Sequence, residues 1–305
     1  MSEAIFTEAR FNDEDAAREH LESIRWPTGP VCPHCGGVDR IGKSQAKTHR
    51  PGVYHCGDCR QQFSVTVGTV MEDTKIKLHK WLLANHLLCS SKKGCSAKQI
   101  ERTVGVTYKT AWFLMHRLRE AMKPAAALPP LGQGGKVVEV DETFIGRKKG
   151  MPKKHGYAHK HAVLTLVERG GESRSFHIES ATMKDIAPIV RANVSKEARL
   201  MTDEAKQYWR LGKEFAEHGQ VEHSAGEYVR GDVHTNTVEG FYSVFKRGMK
   251  GVYQHCGEQH LHRYVREFDF RYSNRERLGV DDTERAEKLL RGIEGKRLTY
   301  RRIDA

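Results

Sequence analysis

The stretch VVEVDETFIG, residues 137–146, is the segment around which the chain is organised. Its valines are β-branched and two large apolar residues close the run, so the pattern predicts a buried strand. Three carboxylates, Glu139, Asp141 and Glu142, interrupt the apolar residues. Burying a carboxylate is costly unless it is paired with a cation or bound to a metal ion. The stretch therefore predicts a core strand that carries charged chemistry.

Two further acids follow in separate elements. Asp203 lies at the end of the apolar strand predicted for ARLMTDEA, residues 198–205. Glu239 lies in HTNTVEGFYSVFKRG, residues 234–248, whose pattern predicts a helix. Lys246, two turns later, and Asn236, one turn earlier, share the helix face of Glu239.

These acids suit phosphodiester chemistry. Cleavage needs an activated water or 3′-hydroxyl and a stabilised leaving oxygen, and two Mg²⁺ ions supply both. Magnesium prefers carboxylate oxygens, so three acids that converge from separate elements suffice to bind it. Local sequence alone leaves Asp141 interchangeable with its two acidic neighbours, and Asp203 interchangeable with Glu204.

The charge of the chain indicates a polyanionic partner. Its 305 residues carry a formal net charge of +12, which favours nucleic acid over a membrane surface. No apolar run approaches the roughly 20 residues that span a bilayer. The first residues are acidic and lack the apolar segment of a signal peptide. We therefore expect a cytoplasmic, nucleoid-associated protein with no membrane partner.

The cysteines predict one structural zinc ion. Four of the seven form two close pairs, CPHC at residues 32–35 and CGDC at residues 56–59. Four thiolates close a tetrahedral site, whereas catalytic zinc keeps one position open. Free thiols in loops, or a redox pair, are the alternatives. The predicted zinc ligands are Cys32, Cys35, Cys56 and Cys59. A helix over 12–25 and a strand over 63–71 would complete an N-terminal zinc-ribbon domain at residues 1–74.

Residues 75–123 predict a helical region with a helix-turn-helix. Two helices are expected within 96–122, with Ser96 as the first cap and a turn near Gly105. The second helix would enter a DNA major groove. An ordinary helical hairpin with a solvated basic face is the alternative. The residues expected to reach DNA are Tyr108, Lys109, Arg117 and Arg119.

The rest of the chain divides into three predicted parts. Residues 124–135 form a Pro/Gly/Ala linker, 136–280 the acid-bearing domain and 281–305 a charged helical tail. A basic loop over 146–161 would face a phosphate backbone, through Arg147, Lys148 and Lys149. A hairpin, residues 161–169 and 172–180, and a helix over 183–194, with Pro188 near its first turn, follow this loop.

The ordered motifs resemble those of a known family. The Trp-Pro-x-Gly-Pro-x-Cys-Pro-x-Cys-Gly segment at residues 26–36, followed by CGDCRQQFSVTVGTVME, is similar to the zinc ribbon of ISXO-type bacterial insertion-sequence transposases. The segments VEVDETFIG, MTDEAKQY and VHTNTVEGFYSVFKRGMKGVYQHC resemble the three catalytic blocks of that family's DDE domain. The resemblance runs from about residue 10 to residue 275.

The resemblance implies an α/β (α+β) fold class: a zinc ribbon and helix-turn-helix followed by an RNase H-like domain, with a mixed sheet flanked by helices. It implies that Asp141, Asp203 and Glu239 bind two catalytic Mg²⁺ or Mn²⁺ ions, and that Lys246 assists them. Some members carry Asn in the third block, so Asn236 is the alternative to Glu239.

The implied activity is cleavage and strand transfer of transposon ends in double-stranded DNA, by a homo-oligomer that is at least a dimer. Two other hypotheses remain open at this point. One is a zinc-ribbon DNA-binding regulator whose acid-bearing half is inactive. The other is an RNase H-like nuclease that hydrolyses DNA without joining it.

Overall fold

The computed structural model describes residues 5–45, 50–153 and 156–299, apart from the side chains of residues 206 and 207. The chain divides into two compact units. Unit 1 comprises Met1–Ser91, Cys95–Ala125 and Asp282–Ala305, and unit 2 comprises Lys92–Gly94 and Ala126–Asp281. Within the described ranges, no helix has both the length and the apolar character needed to cross a membrane.

The described residues form both helices and strands, which follow one another along the chain mostly in groups. The helices are α1 Glu14–Arg25, α2 Leu78–Ser90, α3 Ala97–Val104, α4 Tyr108–Ala121, α5 Met183–Asn193, α6 Lys206–Gly212, α7 Asn236–Gly248, α8 Glu258–Ser273 and α9 Asp282–Arg291. The strands are β1 Ile41–Lys43, β2 Tyr54–Cys56, β3 Gln62–Phe63, β4 Val137–Ile145, β5 His161–Glu168, β6 Ser173–Ile178, β7 Arg199–Thr202, β8 Glu217–Gln220, β9 Val229–Arg230 and β10 Val233–His234.

Unit 1 contains a small antiparallel sheet in the order β1-β2-β3, which follows α1 in the chain. The strand expected over 63–71 was wrong, because β3 ends at Phe63 and turns follow it. Arg25, at the end of α1, donates to the carbonyl oxygens of Val65 and Val67, both at 2.8 Å. This guanidinium satisfies carbonyl groups that a strand partner would otherwise bind, so the turns are stable.

The C-terminal helix α9 belongs to unit 1. The Asn85 side-chain amide on α2 donates to the Ala286 carbonyl (2.9 Å), and Arg285 donates to the Cys89 carbonyl (2.8 Å). Both donors are buried, so these bonds fix α9 against α2. The segment predicted as a separate tail therefore contributes to the helical core.

Unit 2 is built on a five-stranded mixed sheet in the order β6-β5-β4-β7-β8. The first three strands are antiparallel neighbours, and β7 pairs parallel with both β4 and β8. Apolar residues of one sheet face pack with α5 and α6, and those of the other pack with α7 and α8. The expected fold class is confirmed: an N-terminal zinc ribbon is followed along the chain by a mixed sheet flanked by helices.

Two local expectations in unit 2 differ from the structure. Pro188 is the sixth residue of α5 rather than part of its first turn. The helix begins at Met183, as expected, and its Asp185 side chain accepts hydrogen bonds from the backbone N–H and hydroxyl of Ser180, at 3.1 and 2.7 Å. Leu131, predicted as linker, donates its N–H to the Asn193 carbonyl (2.7 Å) and is buried. The end of the linker segment is thus part of unit 2.

A fully buried carboxylate joins the central strand to α7. Glu139 on β4 accepts hydrogen bonds from the N–H groups of Thr237 (2.8 Å) and Val238 (2.9 Å), and from the Thr237 hydroxyl (2.7 Å). Helix N-termini leave such N–H groups without intrahelical partners and favour negative charge. Arg169 completes the neutralisation with a 2.6 Å ion pair. Glu139 therefore fixes where α7 begins relative to β4.

We predict that Glu139→Ala lowers the free energy of unfolding by about 3–5 kcal/mol, because it leaves a guanidinium and two helix N–H groups without their acceptor. Urea denaturation of the full-length protein measures this. The control is Glu217→Ala, which removes an ion pair of Arg199 that lies largely at the surface. It should cost no more than about 1 kcal/mol. Equal losses in the two variants would contradict the role of Glu139.

Candidate functional site

The four ribbon cysteines converge on one point. Their sulfur atoms all lie within 4.8 Å of one another, and the Cys32–Cys59 and Cys35–Cys56 sulfurs are each 3.6 Å apart. Four thiolates around zinc, each about 2.3 Å from the ion, stand at about this separation. The neighbouring His34 and His55 are exposed. The thiolate set therefore fits a structural zinc ion.

The two cysteine pairs sit in matching turns. In the first, Gly36 donates to the Cys32 carbonyl (2.9 Å), and in the second, Arg60 donates to the Cys56 carbonyl (2.9 Å). Both donors have left-handed backbone angles, with φ of 76° at Gly36 and 61° at Arg60. In the second turn a non-glycine residue, Arg60, adopts this left-handed conformation.

The predicted helix-turn-helix corresponds to α3 and α4. The Ser96 side chain accepts the Gln99 N–H, Gly105 ends α3 in the left-handed region, and Thr107 caps α4. The first turn of α4 is open to solvent, with Tyr108 46% exposed and Lys109 also exposed. A helix that enters a major groove contacts bases through its N-terminal residues. Tyr108 and Lys109 are the first two residues of α4.

Two arginines expected to reach DNA are buried instead. Arg119 is 1% exposed and Arg117 is 8% exposed. Arg117 donates to the carbonyl oxygens of Glu72 (3.0 Å) and Leu298 (3.1 Å) within unit 1. The C-terminal half of α4 is covered on most sides, so its basic residues serve the interior of the unit. The sequence periodicity predicted one buried apolar face of α4, but it did not predict that the other faces are buried as well.

In unit 2, the predicted acids come within electrostatic range of one another. The pKa of Asp141 rises from 3.8 to about 8, first because the carboxyl group is buried and then because Glu142, Asp203 and Glu239 carry like charge. Asp141 lies on the central strand, Asp203 directly follows β7 and Glu239 is in the first turn of α7. Three separate elements thus direct acids toward Asp141.

The structure separates Asp141 from its two acidic neighbours. Glu139 is saturated by the α7 N-terminus and Arg169, as described above. Glu142 points to the opposite face of β4, because side chains alternate along a strand, and accepts the Tyr208 hydroxyl at 2.5 Å. Asp141 accepts the backbone N–H of Glu142 at 2.7 Å. Within the described residues, no arginine or helix N-terminus neutralises Asp141, whose pKa is raised by burial and by the like charges of Glu142, Asp203 and Glu239.

A similar distinction applies at the second and third acids. Both carboxylate oxygens of Glu204 lie 3.1 Å from the N–H of Ser224, so this acid is engaged with the following loop. Asp203 accepts the N–H of Ala205 at 3.0 Å and remains close enough to Asp141 to raise its pKa. Glu239 accepts the Thr235 hydroxyl at 3.0 Å, with a His223 ring nitrogen at 3.7 Å.

Helix α7 also carries a buried tyrosine, Tyr242, that the sequence pattern did not single out. The Tyr242 hydroxyl donates to the Asp141 carbonyl at 2.5 Å, and the Lys246 ammonium lies 5.9 Å from the Tyr242 ring centre. Asn236 is exposed at the first position of α7. The helical spacing from Glu239 to Tyr242 and Lys246 was the available signal. It placed all three side chains on neighbouring faces of α7.

The basic loop has no helix or strand in its described part, residues 146–153 and 156–160. Arg147 and Lys149 are exposed, and Lys148 is half-buried with its ammonium 3.0 Å from the Glu179 carbonyl. Two further loop residues, Lys154 and His155, lie outside the described residues. The exposed Tyr157 stacks on Phe144 of β4, with ring centres 4.6 Å apart. The loop therefore presents cations beside an aromatic contact to the central strand.

Two family models match parts of the chain. Residues 133–273 match the ISXO2-like transposase domain, and residues 12–62 match the transposase zinc-ribbon domain. The chain therefore contains an ISXO2-like transposase domain and a transposase zinc-ribbon domain. It is also 29% identical over 278 residues to an uncharacterised protein in transposable element ISH50 of Halobacterium salinarum, covering 86% of this chain and 91% of that protein. The acid cluster falls inside the ISXO2-like transposase domain.

We predict a pH-dependent stability difference between the wild type and Asp141→Asn in buffer without added divalent cations. With its pKa raised from 3.8 to about 8, Asp141 keeps a proton in the folded chain that the unfolded chain has already released between these values. Wild-type stability therefore falls as pH rises through this window. The melting temperature of Asp141→Asn minus that of the wild type should increase from about pH 5 to about pH 8 and should be constant above that.

Glu217→Gln is the matched control for this titration. Hydrogen bonding to Arg199 lowers the pKa of Glu217 below 4.5, so the carboxylate is ionised in both states above about pH 5. Its difference from the wild type should be constant over the same range. A constant difference for Asp141→Asn as well would show that Asp141 is not held in a repulsive, buried environment.

Proposed function

We propose that this chain is the transposase of an insertion sequence, which binds terminal inverted repeats and carries out metal-dependent DNA cleavage and strand transfer. One observation carries the proposal. Asp141, Asp203 and Glu239 come from three separate elements, and the pKa of Asp141 is raised first by burial and then by the negative charges of Glu142, Asp203 and Glu239. The ISXO2-like transposase domain and the transposase zinc ribbon support the same activity at the level of the family.

The chemistry of this cluster fits Mg²⁺ or Mn²⁺. The donors are all carboxylates, which hard divalent cations prefer, and mutual repulsion among them is relieved when a cation binds. Asp141, Asp203 and Glu239 would hold the metal, with Asn236 as the alternative third ligand. Bound there, two ions would supply activation of the attacking oxygen and charge stabilisation of the leaving oxygen.

The surrounding side chains would orient the DNA. The Tyr242 hydroxyl is bonded to the Asp141 carbonyl, which fixes this part of α7 against β4, and the Lys246 ammonium lies 5.9 Å from the Tyr242 ring centre. We assign it to a DNA phosphate next to the scissile bond. The exposed cations of the basic loop, Arg147 and Lys149 among them, would bind the backbone farther along the duplex.

Recognition of the transposon ends is assigned to unit 1. Its zinc ribbon and helix-turn-helix provide the DNA-reading elements, and Tyr108 and Lys109 stand at the exposed start of α4. Because strand transfer joins two ends to one target, we propose that at least two protomers act together on the DNA.

The decisive assay is strand transfer with the DNA that flanks the gene, a supercoiled target and Mg²⁺. We predict that the wild type yields a joined product and that Asp203→Asn yields none while still binding the end DNA in a gel shift. Removing one ligand carboxylate prevents metal-assisted chemistry without touching unit 1. Glu204→Gln, which changes the adjacent acid that faces Ser224, should retain the product.

Each alternative function gives its own result in this assay. Cleaved DNA without a joined product would indicate a nuclease. Equal behaviour of the wild type and Asp203→Asn, with binding but no cleavage in either, would indicate a DNA-binding regulator with an inactive unit 2. Loss of product in Glu204→Gln together with full activity of Asp203→Asn would show that Glu204, and not Asp203, is the metal ligand.

A second prediction concerns recognition. We expect Lys109→Glu to weaken binding to the transposon end and to reduce the slope of log K against log salt by about one, because one phosphate contact is lost. Fluorescence anisotropy across a salt series measures both. Lys288→Glu, on α9, makes the same change in net charge at a lysine paired with Glu284. Identical slopes in both variants and the wild type would place the phosphate contacts elsewhere in the chain.

A further inference from the structure

A second group of metal-binding side chains lies in unit 2, away from the acid cluster. His161 begins β5, His177 lies near the end of β6 and Glu258 is the first residue of α8. Each offers one ligand atom, and these atoms all lie within 4.8 Å of one another. Neither the zinc ribbon nor the proposed cleavage chemistry uses them.

The sheet and α8 hold this group in place. Val163 is directly opposite His177 in the antiparallel pair of β5 and β6, so His161 and His177 are diagonal neighbours on one face. Their ring centres are 5.4 Å apart, with planes at 72°. Farther along, the buried Asp269 of α8 accepts bonds from Ser173 and Ser175 of β6, at 2.7–2.9 Å. This contact fastens α8 to the same face of β6.

A buried nitrogen points into the group without a hydrogen-bond partner. His161 is only 5% exposed, and within the described residues its Nδ1 atom forms no hydrogen bond. The nearest oxygen of Glu258 is 3.6 Å away, which is too long for a hydrogen bond. Two ligands that each stand about 2.1 Å from a shared zinc ion are separated by about this distance. An orphaned buried nitrogen is costly, and a bound cation would satisfy it.

We propose that His161, His177 and Glu258 bind one divalent transition-metal ion of the zinc class. Two imidazoles and one carboxylate are a donor set of zinc and of other first-row transition ions, whereas Mg²⁺ prefers oxygen ligands. The site is separate from the acid cluster, because His161 pairs with Ile145, four residues along β4 from Asp141. At about 3.3 Å per residue, that is roughly 13 Å.

The ion ties three chain segments together at the base of the basic loop. The N–H of Lys148 donates to the His159 carbonyl (2.9 Å), and its ammonium reaches the Glu179 carbonyl (3.0 Å). His159 and Glu179 each lie two residues from a ligand, His161 and His177 respectively. Metal binding at this point therefore fixes the strand ends from which the loop departs and the start of α8.

Zinc stoichiometry tests the proposal without any activity assay. The full-length protein is saturated with Zn²⁺ in the presence of excess Mg²⁺, which competes for the acid cluster, freed of excess by gel filtration and measured by mass spectrometry of the metal. We expect two zinc ions per chain in the wild type, one in His177→Asn and one in Cys35→Ser, which disrupts the ribbon. His262→Asn, an exposed histidine on α8, should keep two.

Cobalt substitution separates the two sites by their spectra. Sulfur-to-cobalt charge-transfer absorption reports the ribbon, and it should be unchanged in His177→Asn while the second equivalent of Co²⁺ is lost. Circular dichroism of the same samples establishes that the variant is folded. One zinc ion in the wild type, or two in a folded His177→Asn, would overturn the proposal.

Discussion

The geometry of unit 2 depends on one buried carboxylate. Glu139 accepts the first free N–H groups of α7 and the Arg169 guanidinium, and it is fully buried. Side chains two residues apart share a strand face, so Glu139 and Asp141 point to the same side of β4. Because Glu139 fixes the start of α7, Glu239 in the first helical turn is brought toward Asp141. The structural acid thereby determines where the proposed catalytic acids meet.

Two acids on one strand have opposite electrostatic environments. Glu139 faces a guanidinium and a helix N-terminus, which stabilise its charge. Asp141 faces other acids, and burial with like charge raises its pKa to about 8. A cluster of carboxyl groups that no cationic side chain neutralises is typical of a site that binds a metal ion. Glu139 thus serves the architecture of the domain, whereas Asp141 is the acid that we propose for the chemistry.

Much of the fold followed from local pattern, whereas the roles of individual charges did not. Cysteine spacing and apolar periodicity predicted the ribbon, β4, the β5–β6 hairpin and α7, since these signals depend on adjacent residues. The choice among the acids of β4 required partners about a hundred positions away, such as Thr237. Arg117 and Arg119 failed as DNA contacts because other segments, beyond the reach of helical periodicity, cover α4. The pairing of α9 with α2 is equally non-local.

The most direct test is a crystal structure of the full-length protein grown with Mn²⁺, with the ion located by its anomalous scattering. We predict manganese peaks about 2 Å from carboxylate oxygens of Asp141, Asp203 and Glu239. Manganese bound instead by Glu139 or Glu142, or bound by only one of the three predicted acids, would contradict this assignment.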